Sequence, residues 1–420
     1  MYYNQINYYF CVNAIHKFNM KSIILLIYIF LSILNINAQQ ITLSDSAEVS
    51  LITCSPGEEV YSKFGHTAIR IKDKGKGIDL VYNYGIFSFE TKDFYFKFIK
   101  GETDYQLGVY DANYFLQEYA ARNSMVWEQK LNLTPTEKKN LIRILQENYE
   151  PKNRIYRYNF IFDNCSTRPR DKIIEALHGF VRFPEISETK SFRQWIGVYV
   201  GHDTWLKFGI DLIFGLDADR MATQSESMFL PEVLMNEFQN GQIATPNSQI
   251  RKLVNNDKIV LVDKKGVTEE THSWILKPTT FSILLLIVGI LITIWDISRK
   301  RIYKPFDSAL LVMTGLAGLI AFYLMAFSTH PLVKLNLNIL CLNPLNLIVA
   351  IIIWYRQLRV GLFSYQVLNI LLLVGALFAF SLSSQVFNVA SFPLIVLLLI
   401  RTTSWFAITK RRIFRHRDIK

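Results

Sequence analysis

Residues 64–84 read FGHTAIRIKDKGKGIDLVYNY, and this stretch decides how the first half of the chain folds. Residues 64–71 and 78–84 are rich in β-branched and aromatic side chains, while the hexapeptide 72–77 between them consists of lysine, aspartate and glycine. Two β-prone runs on either side of a glycine-containing turn predict two strands joined as a hairpin.

The surrounding sequence mixes helix and strand signals, which predicts an α+β domain. Thr134, Pro135 and Glu137 form a strong helix start, because threonine caps the first turn and the glutamate completes a capping box. Residues 154–162 alternate and predict a strand, and a helix is predicted over 165–177. The remaining predicted elements are strands at 51–54 and 259–263 and helices at 112–122, 190–196 and 232–238.

The composition predicts two domains. The chain has 420 residues, of which 50% are apolar and 19% charged, too much charge for a wholly intramembrane protein. The net charge of +11 is uneven: residues 39–278 hold 30 basic and 32 acidic side chains, whereas residues 279–420 hold 14 and 3. Because the positive charge flanks apolar segments, we expect it to set membrane topology and expect no nucleic-acid partner.

Residues 1–38 predict a secretory signal. Met20 and Lys21 precede an apolar run, residues 23–34, which is followed by a small residue at the expected cleavage position. Met20 is the predicted start because it restores an ordinary signal length, and an uncleaved anchor helix is the alternative. Either way, residues 39–278 are expected to be exported.

Five apolar stretches in residues 279–420 predict an all-α membrane domain of five transmembrane helices. They cover residues 280–295, 306–327, 337–354, 363–382 and 386–400. Lysine and arginine are concentrated in alternate connections and in the tail, which predicts a cytoplasmic C-terminus. Five crossings from an exported domain give the same orientation. Arg401, near the end of the last stretch, is expected to snorkel to the membrane surface.

Cys165 and His66 are the pair whose surroundings indicate chemistry. Cys165 is predicted to begin a helix, whose macrodipole would lower the pKa of the thiol. His66 could accept the thiol proton and later return it to a leaving group. Free N–H groups of the first helical turn, including that of Cys165, would bind an oxyanion. A symmetric hairpin puts His66 opposite Asn83 or Tyr84, and the amide of Asn83 would orient the imidazole.

Each of these residues has a structural alternative. Cys165 could be a buried apolar residue, or it could form a disulfide with Cys54 in an oxidising compartment. His66 could be a structural histidine. The sequence has no paired Cys-x-x-Cys motif and no His-Glu-x-x-His motif, so we expect neither a catalytic metal nor another cofactor.

The order of His66 and then Asn164-Cys165 is similar to that in the circularly permuted branch of the papain-like NlpC/P60 superfamily, which includes lecithin:retinol acyltransferase. A second set of motifs covers nearly the whole mature chain. It comprises residues 55–57, 61–70, 82–85, 163–168, 228–231, 328–331 and 343–346. These motifs resemble those of the Lnb family, which is similar to a lipoprotein N-acyltransferase class of Bacteroides-like bacteria.

The resemblance implies a lipoprotein N-acyltransferase of the bacterial inner membrane, multi-pass, with a permuted papain-like catalytic domain in the periplasm. Cys165 maps to the nucleophile and His66 to the base. The implied partners are a membrane phospholipid as acyl donor, a lipidated lipoprotein as acceptor, and the membrane itself. The residues predicted to contact substrate are Ser62, Asn164, Ser166, Arg168, His330 and Asn343.

Two of these assignments have explicit alternatives. Arg168 could meet a donor phosphate, or it could pair with Asp163. His330 and Asn343 could form a head-group or amine site beneath Cys165, or they could belong to an ordinary solvated loop.

Two other functions stay open at this stage. A membrane-anchored cysteine hydrolase of the cell wall, a peptidase or amidase, would use the same pair of residues, although such an enzyme needs no more than one anchor. A non-catalytic membrane sensor or transport partner would leave Cys165 merely buried.

Overall fold

The structure is a computed structural model that describes residues 41–90, 92–185, 189–247, 249–261 and 277–415. The predicted signal around Met20 and Lys21 and the end of the predicted strand 259–263 lie outside these residues. The strands are β1 Glu48–Cys54, β2 His66–Asp73, β3 Ile78–Ile86, β4 Asp104–Asp111, β5 Val126–Leu131, β6 Ile155–Arg157, β7 Phe180–Arg182, β8 Gln242–Ala244, β9 Ile250–Lys252 and β10 Val254–Leu261. The helices are α1 Phe94–Lys100, α2 Ala112–Ala121, α3 Pro135–Tyr149, α4 Thr167–Ala176, α5 Phe192–Val200, α6 Trp205–Ile213, α7 Gln224–Ser227, α8 Pro231–Asn240, α9 Pro278–Arg299, α10 Lys304–Phe327, α11 Asn346–Ile352, α12 Arg359–Leu382 and α13 Ser391–Arg415.

The first half of the chain is organised around a seven-stranded antiparallel sheet with the strand order β10-β5-β1-β2-β3-β4-β6. The predicted hairpin is β2 and β3, with Ile69 opposite Tyr82. The predicted register is wrong, since the turn tightens into a short 3₁₀ segment and does not close symmetrically. Extended along the strands, the observed register puts Asn83 opposite Ala68, one step along the same face from His66.

Helices cover both faces of this sheet. On one face, Phe115 and Tyr119 of α2 pack with Ile52 and Ala68 of the strands. On the other face, α3 contacts β4, and α4 packs beside α3 and contacts β2. The capping box predicted at the start of α3 is present, with the Thr134 hydroxyl accepting from the N–H three residues on and the glutamate carboxylate accepting from the N–H of Thr134.

Several predicted elements differ from the structure. The strand predicted over 154–162 is confined to β6, after which an isolated bridge between Asn159 and Asp163 closes a turn. The helix predicted from 165 begins at Thr167. The elements that were not predicted from the sequence are α1, β4, β5, β7, α6, α7, β8 and β9. Pairing and packing with distant residues decide such short elements, and local patterns do not reveal them.

The helical region has four helices long and apolar enough to cross a membrane among the residues described, α9, α10, α12 and α13. Five helices are therefore not confirmed. The predicted third span is a broken segment, residues 337–354, in which a 3₁₀ turn precedes the short α11.

The broken segment lies antiparallel to α10. A β-carbon added to Gly318 would be 2.0 Å from the Leu342 carbonyl oxygen, and one on Gly315 would be 2.7 Å from the Leu347 nitrogen, so the two backbones touch. Trp354 Nε1 donates to Ser308 Oγ near the start of α10 at 2.9 Å. The segment therefore runs from the C-terminal end of α10 to its N-terminal end.

Arg401 does not snorkel, and that prediction is wrong. Its guanidinium is buried among α9, α10 and α13, where it pairs with Asp307 and Asp296 at 2.7 Å and donates to Thr293 Oγ1 at 2.9 Å. The sequence analysis missed this network, because Arg401 is more than 90 residues along the chain from each of its partners.

A buried polar joint connects the sheet-rich domain to the helical region. Arg193 of α5 pairs with Asp211 at 3.0 Å and with Asp219 at 2.8 Å. Asn388, before α13, donates to the same Asp211 carboxylate at 2.8 Å. Asn336 donates to the carbonyl of Leu212 at 2.8 Å. Because each buried charge has several partners, this joint holds the two parts in one arrangement.

Candidate active site

His66 begins β2 and contacts Asn83 of β3, as predicted. Its Nε2 and the Asn83 Oδ1 form a hydrogen bond of 2.5 Å. An amide oxygen only accepts, so Nε2 carries the proton and the lone pair of Nδ1 stays available. The ring also stacks on Tyr119 of α2, with centroids 6.2 Å apart. The imidazole is thus oriented from two sides.

Cys165 lies in a tight loop that enters α4, and Asn164 holds this loop. The Asn164 Oδ1 accepts from the backbone N–H groups of Ser166 at 2.8 Å and Thr167 at 2.9 Å. Its Nδ2 donates to the carbonyls of Phe160 at 2.7 Å and Phe229 at 2.9 Å. The amide therefore satisfies both ends of the loop and fixes the backbone of the cysteine.

The side chains of Cys165 and His66 meet at Gly85, where β3 has an irregular register with β4. A β-carbon on Gly85 would be 3.2 Å from the Cys165 Cβ and 3.8 Å from the His66 Cε1. The Cys165 sulfur also interacts with the backbone N–H of Thr67, the residue after His66. Both side chains are partly exposed. The glycine, which has a φ of 94°, has no side chain and so leaves space between Cys165 and the His66 ring.

The predicted lowering of the thiol pKa is wrong. Burial raises the pKa of Cys165 to about 11, while hydrogen bonds from the backbone N–H groups of Thr67 and of Cys165 act in the opposite direction. Burial also lowers the pKa of His66, partly offset by the hydrogen bond to Asn83. The resting groups are therefore a neutral thiol and a neutral imidazole.

The oxyanion site predicted at the helix start is smaller than expected. Asn164 occupies the N–H groups of Ser166 and Thr167, so these two donors are already used. The N–H of Cys165 lies within reach of its own sulfur. Of these three N–H groups, it is the one that the Asn164 side chain does not occupy, and its role toward an oxyanion stays a prediction.

Cys54, the alternative disulfide partner, is a free thiol, as is Cys165. It is buried in β1, and burial raises its pKa well above the ordinary value. Cys54 packs in the same apolar cluster as Tyr119, behind the imidazole.

The predicted substrate residues near Cys165 are held by other parts of the protein. Asn164 and Ser166 are buried, and the Ser166 hydroxyl donates to the Met228 carbonyl at 2.9 Å. The Arg168 guanidinium pairs with Asp163 at 2.5 Å and lies 3.5 Å from the Tyr156 ring. These contacts favour positioning roles. Substrate contact by the three residues stays a prediction.

The other three predicted substrate residues are dispersed. Ser62 donates to the Glu59 carbonyl at 3.0 Å in a 3₁₀ turn. His330 Nε2 hydrogen-bonds to the carbonyl of Phe98 at 2.7 Å, so this histidine fastens the end of α10 to α1. Asn343 is buried and accepts from a backbone N–H two residues on. Their contact with substrate also stays a prediction.

Three contributors to the site were missed by the sequence analysis. Thr67 supplies a backbone N–H, Tyr119 supplies a stacking surface, and Gly85 supplies space. A glycine that directly follows a β-rich run was the one available signal. The described ranges contain no group of three or more His, Cys, Asp or Glu side chains arranged to hold a metal ion.

A sheet-rich domain with a Cys–His–Asn arrangement, joined to helices that can span a bilayer, defines a membrane protein with a domain outside the membrane. Residues 36–195 match the family model described as the Lnb N-terminal periplasmic domain. Residues 269–413 match that of the Lnb transmembrane domain. The chain therefore belongs to the Lnb family, which confirms the predicted membership and the periplasmic and transmembrane assignments. No curated protein and no solved structure matches it.

Proposed function

We propose that the protein is a lipoprotein N-acyltransferase. It moves an acyl chain from a membrane glycerolipid, through a thioester on Cys165, to the α-amino group of a lipidated N-terminal cysteine. The observation that carries this proposal is the convergence of Cys165 and His66 at Gly85. Membership of the Lnb family suggests an enzyme, and the motif resemblance supports these substrates.

In the first half-reaction, the thiol attacks the ester carbonyl of the donor. The Cys165 proton passes to His66 Nδ1, because Nε2–H is held by Asn83. A bond forms between the Cys165 sulfur and the carbonyl carbon of the donor. The resulting tetrahedral oxyanion accepts a hydrogen bond from the N–H of Cys165. When the ester carbon–oxygen bond breaks, the imidazolium returns its proton to the departing alkoxide. The products are an acyl-thioester and a lysolipid.

In the second half-reaction, the acceptor amine attacks the thioester. His66 removes a proton from the attacking nitrogen, the carbon–sulfur bond breaks, and the proton returns to the thiolate. The thiol is restored and an amide is formed. Two half-reactions on one sulfur predict ping-pong kinetics. Because both resting groups are neutral, the enzyme starts each cycle without a buried charge.

The membrane region supports a lipid-dependent reaction. A soluble enzyme would have to move a long acyl chain into water, at about 0.8 kcal/mol per methylene. We propose that the broken segment 337–354 is a fifth, interrupted crossing, since it connects the two ends of α10. The protein then lies in the bacterial inner membrane. Five crossings that start from a periplasmic domain place its C-terminus in the cytoplasm. The proposed catalytic domain has a permuted papain-like arrangement.

The test uses the full chain in lipid nanodiscs with a diacylated lipopeptide as acceptor. Intact-mass spectrometry follows an acyl adduct on Cys165, and fragmentation follows the N-acyl group on the lipopeptide. The variants are Cys165→Ala and His66→Gln. Cys341→Ala is the matched control, because Cys341 is another free thiol but lies buried in the helical region.

We expect an acyl adduct and an N-acylated product with the wild type and with the Cys341 variant, and neither with Cys165→Ala. N-acylation that persists without Cys165 would overturn the proposal. A parallel reaction supplies purified peptidoglycan, and release of fragments from it without N-acylation of the lipopeptide would favour the cysteine hydrolase. Neither reaction, in the presence of folded protein, would favour a non-catalytic role.

A further inference from the structure

Helix α1, with the sequence FYFKFIK, exposes most of its apolar side chains. Tyr95 is 70% exposed, Phe96 57% and Phe98 48%, whereas Phe94 alone is buried. A water-soluble surface rarely presents contiguous large apolar groups, and such patches mark interaction sites with proteins or membranes.

The contacts of α1 place it at the end of a membrane helix. The Phe96 ring lies 6.3 Å from that of Tyr323 in the last turns of α10. Directly after α10, Ser328 Oγ donates to the Ile99 carbonyl at 3.0 Å and the Thr329 N–H donates to the Lys100 carbonyl at 2.8 Å. Because α10 is long and apolar enough to cross a bilayer, its end is expected at the membrane surface, where aromatic residues are enriched.

From α1, ring contacts continue toward the thiol. Phe94 contacts Phe98 at 6.1 Å and Phe87 at 5.7 Å between centroids. Phe87, two residues after Gly85, stacks on Tyr105 at 4.9 Å, and Tyr105 stacks on Tyr158 at 4.0 Å.

The inner end of this series lies near Cys165, since Phe87 is two residues from Gly85, whose β-carbon position is 3.2 Å from the Cys165 Cβ. The pKa of Tyr105 is raised to about 12, chiefly by burial and partly by the neighbouring cysteine, and the pKa of Tyr158 is raised for the same two reasons. Phe89 is 51% exposed and adds a further ring to the outer part of this series. Its ring centroid lies 4.9 Å from that of Phe87 and 6.5 Å from that of Tyr95.

We propose that the exposed and half-buried rings of Tyr95, Phe98, Phe89 and Phe87, the aromatic strip, are the surface along which one acyl chain of a glycerolipid passes from the bilayer to Cys165. The buried rings of Phe94 and Tyr105 support this strip from beneath. This inference rests on the proposed function. The occupant is a lipid chain because α1, which carries part of the strip, is bonded to the end of α10, a helix long and apolar enough to cross a bilayer. The ester must leave the membrane surface to reach the thiol. Rings in contact with one another give the attached acyl chain a continuous apolar surface over that distance.

The first test detects the occupant directly. A photo-crosslinking phenylalanine replaces Tyr95 or Phe89 in the full chain, reconstituted in nanodiscs of phosphatidylethanolamine and phosphatidylglycerol. Tyr114, an exposed tyrosine on α2, is the matched control at 64% exposure. We expect lipid adducts at both strip positions and at least tenfold fewer at Tyr114. Equal yields at all three positions, or adducts to protein only, would overturn the inference.

The second test separates a lipid path from a structural role. The double variant Tyr95→Ser, Phe89→Ser should acylate Cys165 about tenfold more slowly from nanodisc lipid, yet at the wild-type rate from a short-chain water-soluble ester. Equal losses with both donors would indicate a folding defect, and no loss with either would show that the strip is not on the path. Tyr114→Ser should leave both rates unchanged.

Failure of the proposed function would look different. A wild type that acylates Cys165 from neither donor would refute the function. Any lipid adducts at the strip would then report only its contact with the membrane, so the proposed path would be overturned as well. Normal acylation from nanodiscs by the strip variant would refute the path alone.

Discussion

Gly85→Ala is the substitution that most directly tests whether the Cys165–His66 geometry matters. The added methyl would be 3.2 Å from the Cys165 Cβ and 3.8 Å from the His66 Cε1. A separation of 3.2 Å is shorter than an ordinary carbon–carbon contact by a few tenths of an ångström. The loop that carries Cys165 is fixed by Asn164, so it cannot retreat freely and the pair must separate.

Two effects follow, and they differ in size. The positive φ of Gly85 costs an alanine about 1–2 kcal/mol, which lowers the stability of the fold. Displacing a reacting group by a fraction of an ångström to 1 Å costs a rate factor on the order of 100. We therefore expect a modest loss of stability and a much larger loss of acylation.

Gly77→Ala is the matched control. Gly77 has a φ of 64° and lies in the β2–β3 turn, where an added β-carbon meets nothing within 4 Å. It carries the same kind of backbone strain without touching the site. The assay measures thermal unfolding of both purified variants and their single-turnover acylation of Cys165 from nanodisc lipid.

Both glycine variants should unfold a few degrees below the wild type, and Gly85→Ala alone should acylate roughly a hundredfold more slowly. If Gly85→Ala acylates as fast as Gly77→Ala, then the two side chains do not react across this glycine. The geometric basis of the proposed function would then be wrong.

Three further outcomes follow from the structure. The alkylation rate of Cys165 should keep rising from neutral pH to about pH 10, because its pKa is about 11; levelling off near pH 8 would contradict this. Asn164→Ala should lower the unfolding free energy, measured by chemical denaturation, by about 3 kcal/mol, because four hydrogen bonds are lost. Asn132→Ala, at a partly exposed asparagine, should lower it by less than about 1 kcal/mol. Arg401→Met should destabilise by about 3–5 kcal/mol in thermal unfolding, since two buried carboxylates lose their partner; an effect no larger than that of the exposed Arg299→Met would refute this pairing.

The elements with strong local signals were predicted well. The hairpin β2–β3, the capped helix α3 and the long apolar helices follow from turn residues, a capping box and hydropathy, all of which act over a few neighbouring positions. The broken third span was not predicted, because Gly315 and Gly318 approach its backbone only after the chain has folded.

The site was predicted in part. The contact between His66 and Asn83 was expected, although the register used to predict it was wrong, since a shift along the strand can keep both residues on one face. The sign of the shift in the pKa of Cys165 was predicted incorrectly. A helix start suggests a lowered pKa, but desolvation by the surrounding sheet and helices is larger.

The sequence by itself determined the family and the four long apolar helices, and it singled out Cys165 and His66 as a candidate pair, because these depend on residue type, composition and local order. Only the tertiary structure decided that the two groups meet at Gly85, that Arg401 is buried between two carboxylates, and that α1 lies against the end of α10. The physical reason is that each of these contacts joins elements far apart in the chain. Their distance and desolvation are properties of the packing and leave no mark in the neighbouring residues.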